Sequence, residues 1–302
     1  MTLSSTAISR RKYWLDEIVQ ISGRFGQDST RIAAELRDEI ARDGTNALVD
    51  HFHLCGTIPE HYGHDSSEEK LYSKYTDALL SAALNHMGLT SVVLTERADA
   101  ADVEAVAPHY SLVADAKAFR LSRTAKNQKD FKIDAMHGWK RGKPHAMVVC
   151  PIYQLPSRAS QIYQQAIARS VCIISYSHLS VLLQFSDHKG NDAGQKLLLK
   201  IFKCTEGMNP TKDAAFYWAA VNRTLVDFDA SISNLWNAEK LVTLESISAA
   251  KEEALITLAQ EREKMMRLTR EQAITSLIKD RNIDGRERVI RAITDNGLLS
   301  IA

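Results

Sequence analysis

The chain has 302 residues, 45% hydrophobic and 25% charged, a globular composition that excludes a disordered or fibrous chain. Its formal net charge of +1 excludes a uniformly basic surface, so a polyanionic partner would have to meet charge segregated along the sequence. Cys55, Cys150, Cys172 and Cys204 form no Cys-x-x-Cys pair, which predicts reduced thiols. The polar start has no apolar signal core and no run is long enough to span a membrane, so a cytoplasmic protein with no membrane association is expected.

Two amphipathic helices are predicted at the start. The second, over residues 29–42, places Ile32, Leu36 and Ile40 on one face and stops at Gly44. Residues 51–65 are rich in turn formers and read as a loop. Ser66-x-x-Glu69 has the form of a capping box, and Leu71, Tyr75, Ala78, Leu79 and Ala82 continue a helix that Gly88 ends. Short runs at 89–94, 110–116, 146–153 and 171–176 read as strands, the last two apolar enough to be central in a sheet. Helical periodicity at 157–169 and 178–185 completes a mixed α/β core over 66–186. From Ala214 onward the chain reads as helical again, with a long charged helix or helix pair over 233–270 and another beginning at Thr269. Leu241, Leu244, Ile247, Leu255 and Leu258 predict packing against the core or a second subunit. The expected organisation is a helical region 1–65, a core 66–190 and a mainly helical region 191–302.

The chemistry concentrates between Asp102 and Lys143. In a strand ending Asp115-Ala116-Lys117, alternation projects the Asp115 and Lys117 side chains to the same side. A carboxylate and an ammonium at the end of a buried strand are unfavourable unless they are used. Phosphodiester hydrolysis needs a hard divalent cation held by oxygen ligands and a means of activating water. Asp115, Asp102 and the Ala116 carbonyl are candidate metal ligands, and Lys117 is a candidate to orient or deprotonate water and stabilise the charged phosphorus. Acid-x-Lys spacing alone carries little weight, since Glu68/Lys70, Asp130/Lys132 and Asp187/Lys189 share it. The segment that follows adds weight: residues 117–143 hold nine Lys or Arg against only Asp130 and Asp134, a local charge of +7. Arg120, Ser122, Arg123, Lys126, Asn127, Gln128, Lys129 and Lys132 mix cations with polar side chains of the kinds that meet phosphates and base edges.

The run 112–132, Leu-Val-Ala-Asp-Ala-Lys-Ala-Phe-Arg-Leu-Ser-Arg-Thr-Ala-Lys-Asn-Gln-Lys-Asp-Phe-Lys, resembles the active-site region of the HindIII-type restriction endonucleases nearly residue for residue. Weaker similarity covers 69–74, 160–163, 178–184 and 269–274. The resemblance implies a PD-(D/E)xK nuclease core, a mixed sheet flanked by helices, in a type II enzyme that requires Mg2+ and acts as a homodimer on a palindromic duplex. It further implies the site AAGCTT, cut after its first A to leave 5′ overhangs with 5′-phosphates. By motif position the catalytic residues fall on Asp102, Asp115 and Lys117, with Ala101 standing where the general family pattern has proline. Glu69 is a further catalytic candidate, weighed against a role closing the helix cap. The rival expectations are a nuclease of the same core with relaxed specificity and a DNA-binding module without catalysis.

His51, His53, Cys55, His61 and His64 lie close in sequence, but their spacing matches no structural zinc pattern, and surface histidines on a polar loop are expected instead. Neither glycine-rich stretch carries the Gly-Lys-Ser/Thr of a phosphate loop, so no nucleotide cofactor is expected.

Overall fold

In a computed structural model of the chain, residues 2–94, 100–123 and 128–291 are described, except for the side chains of Gln128, Lys129 and Val289. The chain divides into two units, Met1–Ala254 and Leu255–Ala302.

Ser4 starts helix α1 (Ser5–Val19), its hydroxyl accepting from the Ala7 N–H at 2.9 Å. Ala7, Arg11, Trp14 and Ile18 form its buried stripe. Helix α2 (Phe25–Leu54) does not end at Gly44. The glycine takes φ +62°, ψ −145° and kinks the helix, which then resumes because Ala47, Leu48, His51 and Phe52 continue a buried face. The stretch expected as a loop from residue 51 therefore begins as core. His51 is not a surface histidine: it is hydrogen-bonded to Glu39 Oε2 at 3.1 Å and to the Tyr75 hydroxyl at 2.7 Å. Helix α3 (Ser67–His86) is capped by Ser66, which accepts from Glu69 N at 3.2 Å. The reciprocal half of the expected box does not form, because the Glu69 carboxylate takes the Asp65 N–H at 2.6 Å instead.

Five strands follow, in the spatial order β1 (Thr90–Val93), β2 (Val103–Val106), β3 (Ser111–Ala116), β4 (His145–Cys150) and β5 (Val171–Ser175). The first three are antiparallel neighbours, while β3, β4 and β5 run parallel. Every residue of β4 and β5 is buried, in keeping with the apolar runs 146–150 and 171–174 that make up most of each strand. Pro151 ends β4, and Ile152–Gln154 forms a 3₁₀ turn where the sequence predicted more strand. Between β3 and β4 lie α4 (Gln128–Phe131) and α5 (Ile133–Trp139); α6 (Gln161–Arg169), capped by Ser160, links β4 to β5.

Helix α7 (Tyr176–Lys189) leaves β5 directly through a capping box of Ser175 and His178. It packs on α8 (Asn191–Gly207) at Gly194, where an added Cβ would lie 2.5 Å from the Ser186 side chain. Helix α9 (Ala214–Val226) follows, capped by Asp213, and then α10 (Ile232–Met266). In α10 the buried stripe is Ile232, Glu239, Val242, Ser246, Ala250 and Ala254. Leu241 and Leu244, expected to pack on the core if not on a second subunit, are 56% and 64% exposed, because the small and polar residues turn inward instead. The second unit holds α11 (Arg270–Asp280), opened by a Thr269/Gln272 capping box, and α12 (Ile283–Arg291). The mixed sheet flanked by helices is the architecture the sequence implied, and among the described residues no helix is long and apolar enough to cross a membrane.

Candidate active site

Sheet register brings the first two carboxylates together. Val103 pairs with Ala114 in the antiparallel β2–β3 ladder, so extending it by one residue sets Asp102 opposite Asp115. The Asp102 carbonyl accepts from Leu94 N at 2.8 Å, which ties it to the segment after β1. On the other side of β3, Asp115 is in register with Val148, and Lys117 N donates to the Val149 carbonyl at 2.8 Å. Asp115 and Lys117 therefore share a side of the sheet, and Lys117 Nζ donates to Asp115 Oδ2. The backbone beyond Lys117 is fixed as well. The buried Tyr176 hydroxyl donates to the Lys117 carbonyl at 3.0 Å, and Phe119 exchanges backbone hydrogen bonds with Gly56 and Ile58.

The third carboxylate is Asp77 on α3, a residue the sequence reading did not select. Oxygens of Asp77, Asp102 and Asp115 lie within 4.8 Å of one another. Lys74, one turn before Asp77, donates to Asp77 Oδ2 at 3.3 Å and to Asp102 Oδ1 at 2.9 Å. The group opens on a cleft of about 400 Å³ that Lys70, Ser73, Ala116 and Lys132 also line. A signal for Asp77 exists in the sequence. Lys70, Ser73, Lys74 and Asp77 are spaced i, i+3, i+4, i+7, a polar stripe opposite the apolar face that Leu71, Tyr75 and Leu79 mark.

Burial, then the charges of Asp102 and Asp115, push the Asp77 carboxyl well above the usual carboxylate range, against the pull of Lys74 and Lys117. Burial acts to lower the pKa of Lys117, but the charge and hydrogen bond of Asp115 outweigh it and hold the ammonium more firmly than usual. Lys74 is raised in the same way, its burial offset by Asp77 and Asp102. Three crowded carboxylates, one of them resisting ionisation, make a hard-oxygen donor set with excess negative charge, which fits a divalent cation such as Mg2+.

The structure does not bring Glu69 into this group. Its carboxylate sits at the head of α3, 3.3 Å from Arg120 Nη2 and bonded to the Asp65 N–H. Arg120 is turned inward, with Nη2 donating to the carbonyls of Tyr62 at 2.8 Å and Gly63 at 2.9 Å. Ser122 is held by Glu60 through its backbone N–H at 2.9 Å and its hydroxyl. Arg123 pairs with Asp130 at 3.2 Å, half-exposed. Lys132 caps α5 in the left-handed region at φ +51° and reaches the cleft. Lys126 and Asn127 lie outside the described residues; Gln128 and Lys129 are described in backbone only, in α4.

The sequence matches the family described as HindIII restriction endonuclease over residues 11–294. It is 33% identical over 279 residues to the Type II restriction enzyme HindIII of Haemophilus influenzae, covering 89% of this chain and 91% of that protein. With a family match over nearly its whole length and the acidic centre and lysine on a mixed sheet, the chain belongs to the HindIII restriction endonuclease family, a family of site-specific deoxyribonucleases.

Proposed function

We propose that this enzyme hydrolyses phosphodiester bonds in both strands of a palindromic duplex, with Asp77, Asp102, Asp115 and the Ala116 carbonyl holding Mg2+ and Lys117 acting at the reacting phosphate. The observation that carries the reading is the convergence of the three carboxylates with Lys117 at the mouth of one cleft. The cation, when bound, supplies charge neutralisation at the phosphate and lowers the pKa of bound water.

The protein's own side chains do the rest. Asp115 and Lys117 are kept in line by β3, so the ammonium is positioned before DNA arrives and needs no reorganisation to meet developing negative charge. Its ammonium, paired with Asp115 at the edge of the cleft, suits this electrostatic and orienting role. Asp77 reaches the centre from α3 rather than from the sheet, so its place there depends on how the helix packs beside β2 and β3. Arg123 and Lys132, with Lys126, Asn127, Gln128 and Lys129, are proposed to meet the duplex. Arg120 and Ser122 serve that surface by holding the backbone that leads into it. Glu69 belongs with Arg120 in that support.

The resemblance of the run 112–132 to the active-site region of the HindIII type supports AAGCTT, cut after the first A to leave 5′-phosphates, as the recognition sequence. Cutting both strands of a palindrome requires two equivalent centres, which a C2 homodimer supplies. The exposed Leu241 and Leu244 on α10 are our candidates for its contacts. The cell interior is the proposed location.

Digestion of a sequenced plasmid with and without Mg2+, with the ends mapped, tests the reading. Discrete fragments ending at AAGCTT and absent in EDTA are expected. Random nicking would leave a nuclease of relaxed specificity, and binding without cleavage would leave a DNA-binding module. Lys117→Ala should bind the same duplex and cut it slower by a factor of about 10³ or more. Cleavage at the normal rate would remove Lys117 from the mechanism.

A further inference from the structure

The centre contains a second lysine that the proposed hydrolysis does not require. Lys74 Nζ lies 2.9 Å from Asp102 Oδ1 and 3.3 Å from Asp77 Oδ2, bridging two of the three carboxylates from the side of α3. Lys117 neutralises the third. The two ammonium groups thus leave the five-charge cluster at a formal charge of −1, and each carboxylate already has a cation in contact.

A divalent cation entering between Asp77, Asp102 and Asp115 meets two of its ligands with one oxygen each already held by Lys74. It also cannot share the space with an ammonium at hydrogen-bond distance from two of its ligands, since like charges a few ångströms apart repel by several kcal/mol at about ε = 20. Lys117 comes from the sheet and contacts one of the three carboxylates, Asp115, through Oδ2. Lys74 bridges two of them, so its ammonium stands between candidate ligands where a second cation would enter.

We infer that Lys74 is an internal cation that closes the carboxylate centre in the metal-free protein and must be displaced from Asp77 and Asp102 when a divalent cation binds. This rests on the proposed metal-holding role of the three carboxylates. The side chain is a flexible four-carbon stem on a helix face that lines the cleft, with room of about 400 Å³ to move into. The displaced ammonium then adds a positive charge to the cleft only after the metal is in place. Metal loading and attraction of a phosphate are thereby coupled through one side chain, and the metal-free centre keeps most of its negative charge balanced.

Two measurements on the full chain test this. The first is Mn2+ titration, with free Mn2+ read by electron paramagnetic resonance, on wild type, Lys74→Met, Lys74→Arg and Asp115→Asn. Lys74→Met should bind Mn2+ about tenfold more tightly than wild type because no competitor has to leave, whereas Lys74→Arg should stay near wild type. The second is acylation of wild-type lysines with and without Mn2+, read by peptide mass spectrometry. Lys74 should be protected in EDTA and become several-fold more reactive with Mn2+, while Lys70, one turn along the same helix, should change little. Equal Mn2+ affinity in wild type and Lys74→Met, or Lys74 labelling that does not rise with metal, would overturn the displacement. Mn2+ binding that survives Asp115→Asn unchanged, or is absent in wild type and Lys74→Met alike, would overturn the metal reading itself and this inference with it. If Lys74→Met fails to fold, the labelling of wild type decides alone.

Discussion

Removing the charge of Asp77 should make the metal-free protein more stable while destroying its function. Oxygens of Asp77, Asp102 and Asp115 lie within 4.8 Å, so at an effective dielectric constant of about 20 each pair of full charges repels by roughly 3.5 kcal/mol. The attraction between Asp77 and Lys74 at 3.3 Å offsets this by roughly 5 kcal/mol. Two repulsions against this attraction leave about 2 kcal/mol opposing ionised Asp77; Lys117 pulls the other way, but burial adds to the opposition and the carboxyl is held well above its ordinary range. Asp77→Asn keeps the shape and removes the charge. It should gain about 1–2 kcal/mol in EDTA near pH 7.5, or roughly 2–6 °C in Tm.

The pH dependence follows from the direction of the shift. A carboxyl whose folded pKa is raised binds its proton more tightly in the native state, so stability from this group is greatest below its unfolded pKa and falls as pH climbs toward the folded value. Wild type and Asp77→Asn should therefore melt alike near pH 4, and the variant should pull ahead as pH rises. Adding Mg2+ should reverse the order. A ligand at about 100 times its Kd stabilises the protein that binds it by about 2.7 kcal/mol, and the variant has lost a ligand. Differential scanning calorimetry from pH 4 to 8, with EDTA and with Mg2+, reads all of this. An Asp77→Asn protein less stable than wild type in EDTA at pH 7.5, or equally stabilised by Mg2+, would refute the reasoning.

Other variants separate the roles of neighbouring residues. Glu69→Gln should keep cleavage within about tenfold of wild type, since its carboxylate braces Arg120 and the head of α3 and lies outside the acidic centre; a loss like that of Lys117→Ala would return Glu69 to the catalytic set. Arg120→Ala should lower stability by about 1.5–3 kcal/mol in denaturant titration through its lost carbonyl and carboxylate partners, while its discrimination between AAGCTT and single-base variants stays unchanged. A shift in that discrimination without loss of stability would show that Arg120 reads bases. Changing both Leu241 and Leu244 to Glu should leave the melting of the first unit nearly unaffected, because both are exposed, yet convert a dimer to a monomer in analytical ultracentrifugation. An unchanged dimer mass would place the interface elsewhere.

What the sequence made legible follows the strength of the physical signal. The apolar runs of β4 and β5 and the alternation that pairs Asp115 with Lys117 are properties of a few adjacent residues, and they appear in the structure as read. Strand β2 is four residues with one half-exposed position and no apolar run, so only its place opposite β3 reveals it. At Gly44 the local preference to stop a helix is overridden by the burial that Leu48 and Phe52 gain if the helix resumes. The face of α10 that packs inward carries Ser246, Ala250 and Ala254, so a search for leucines finds the opposite face.

The acidic cluster divides along the same line. The meeting of Asp102, Asp115 and Lys117 is legible in the sequence because they lie on one hairpin, where spacing and register are local. Asp77 and Lys74 come from a helix some thirty residues earlier, and their meeting with Asp102 depends on how α3 packs across β2 and β3. The rule that would have found them is physical rather than familial. A mid-helix acid with a lysine three residues before it, on a polar stripe of a helix whose other face is buried, is stable only if something opposite it needs the charge. Glu69, by contrast, sits where helix ends attract carboxylates for their own reasons, since the exposed N–H groups of the first turn bond an acid whether or not chemistry is nearby. The burial of Asp77 is therefore stronger evidence of function than the position of Glu69, and Asp77 is the residue to change first.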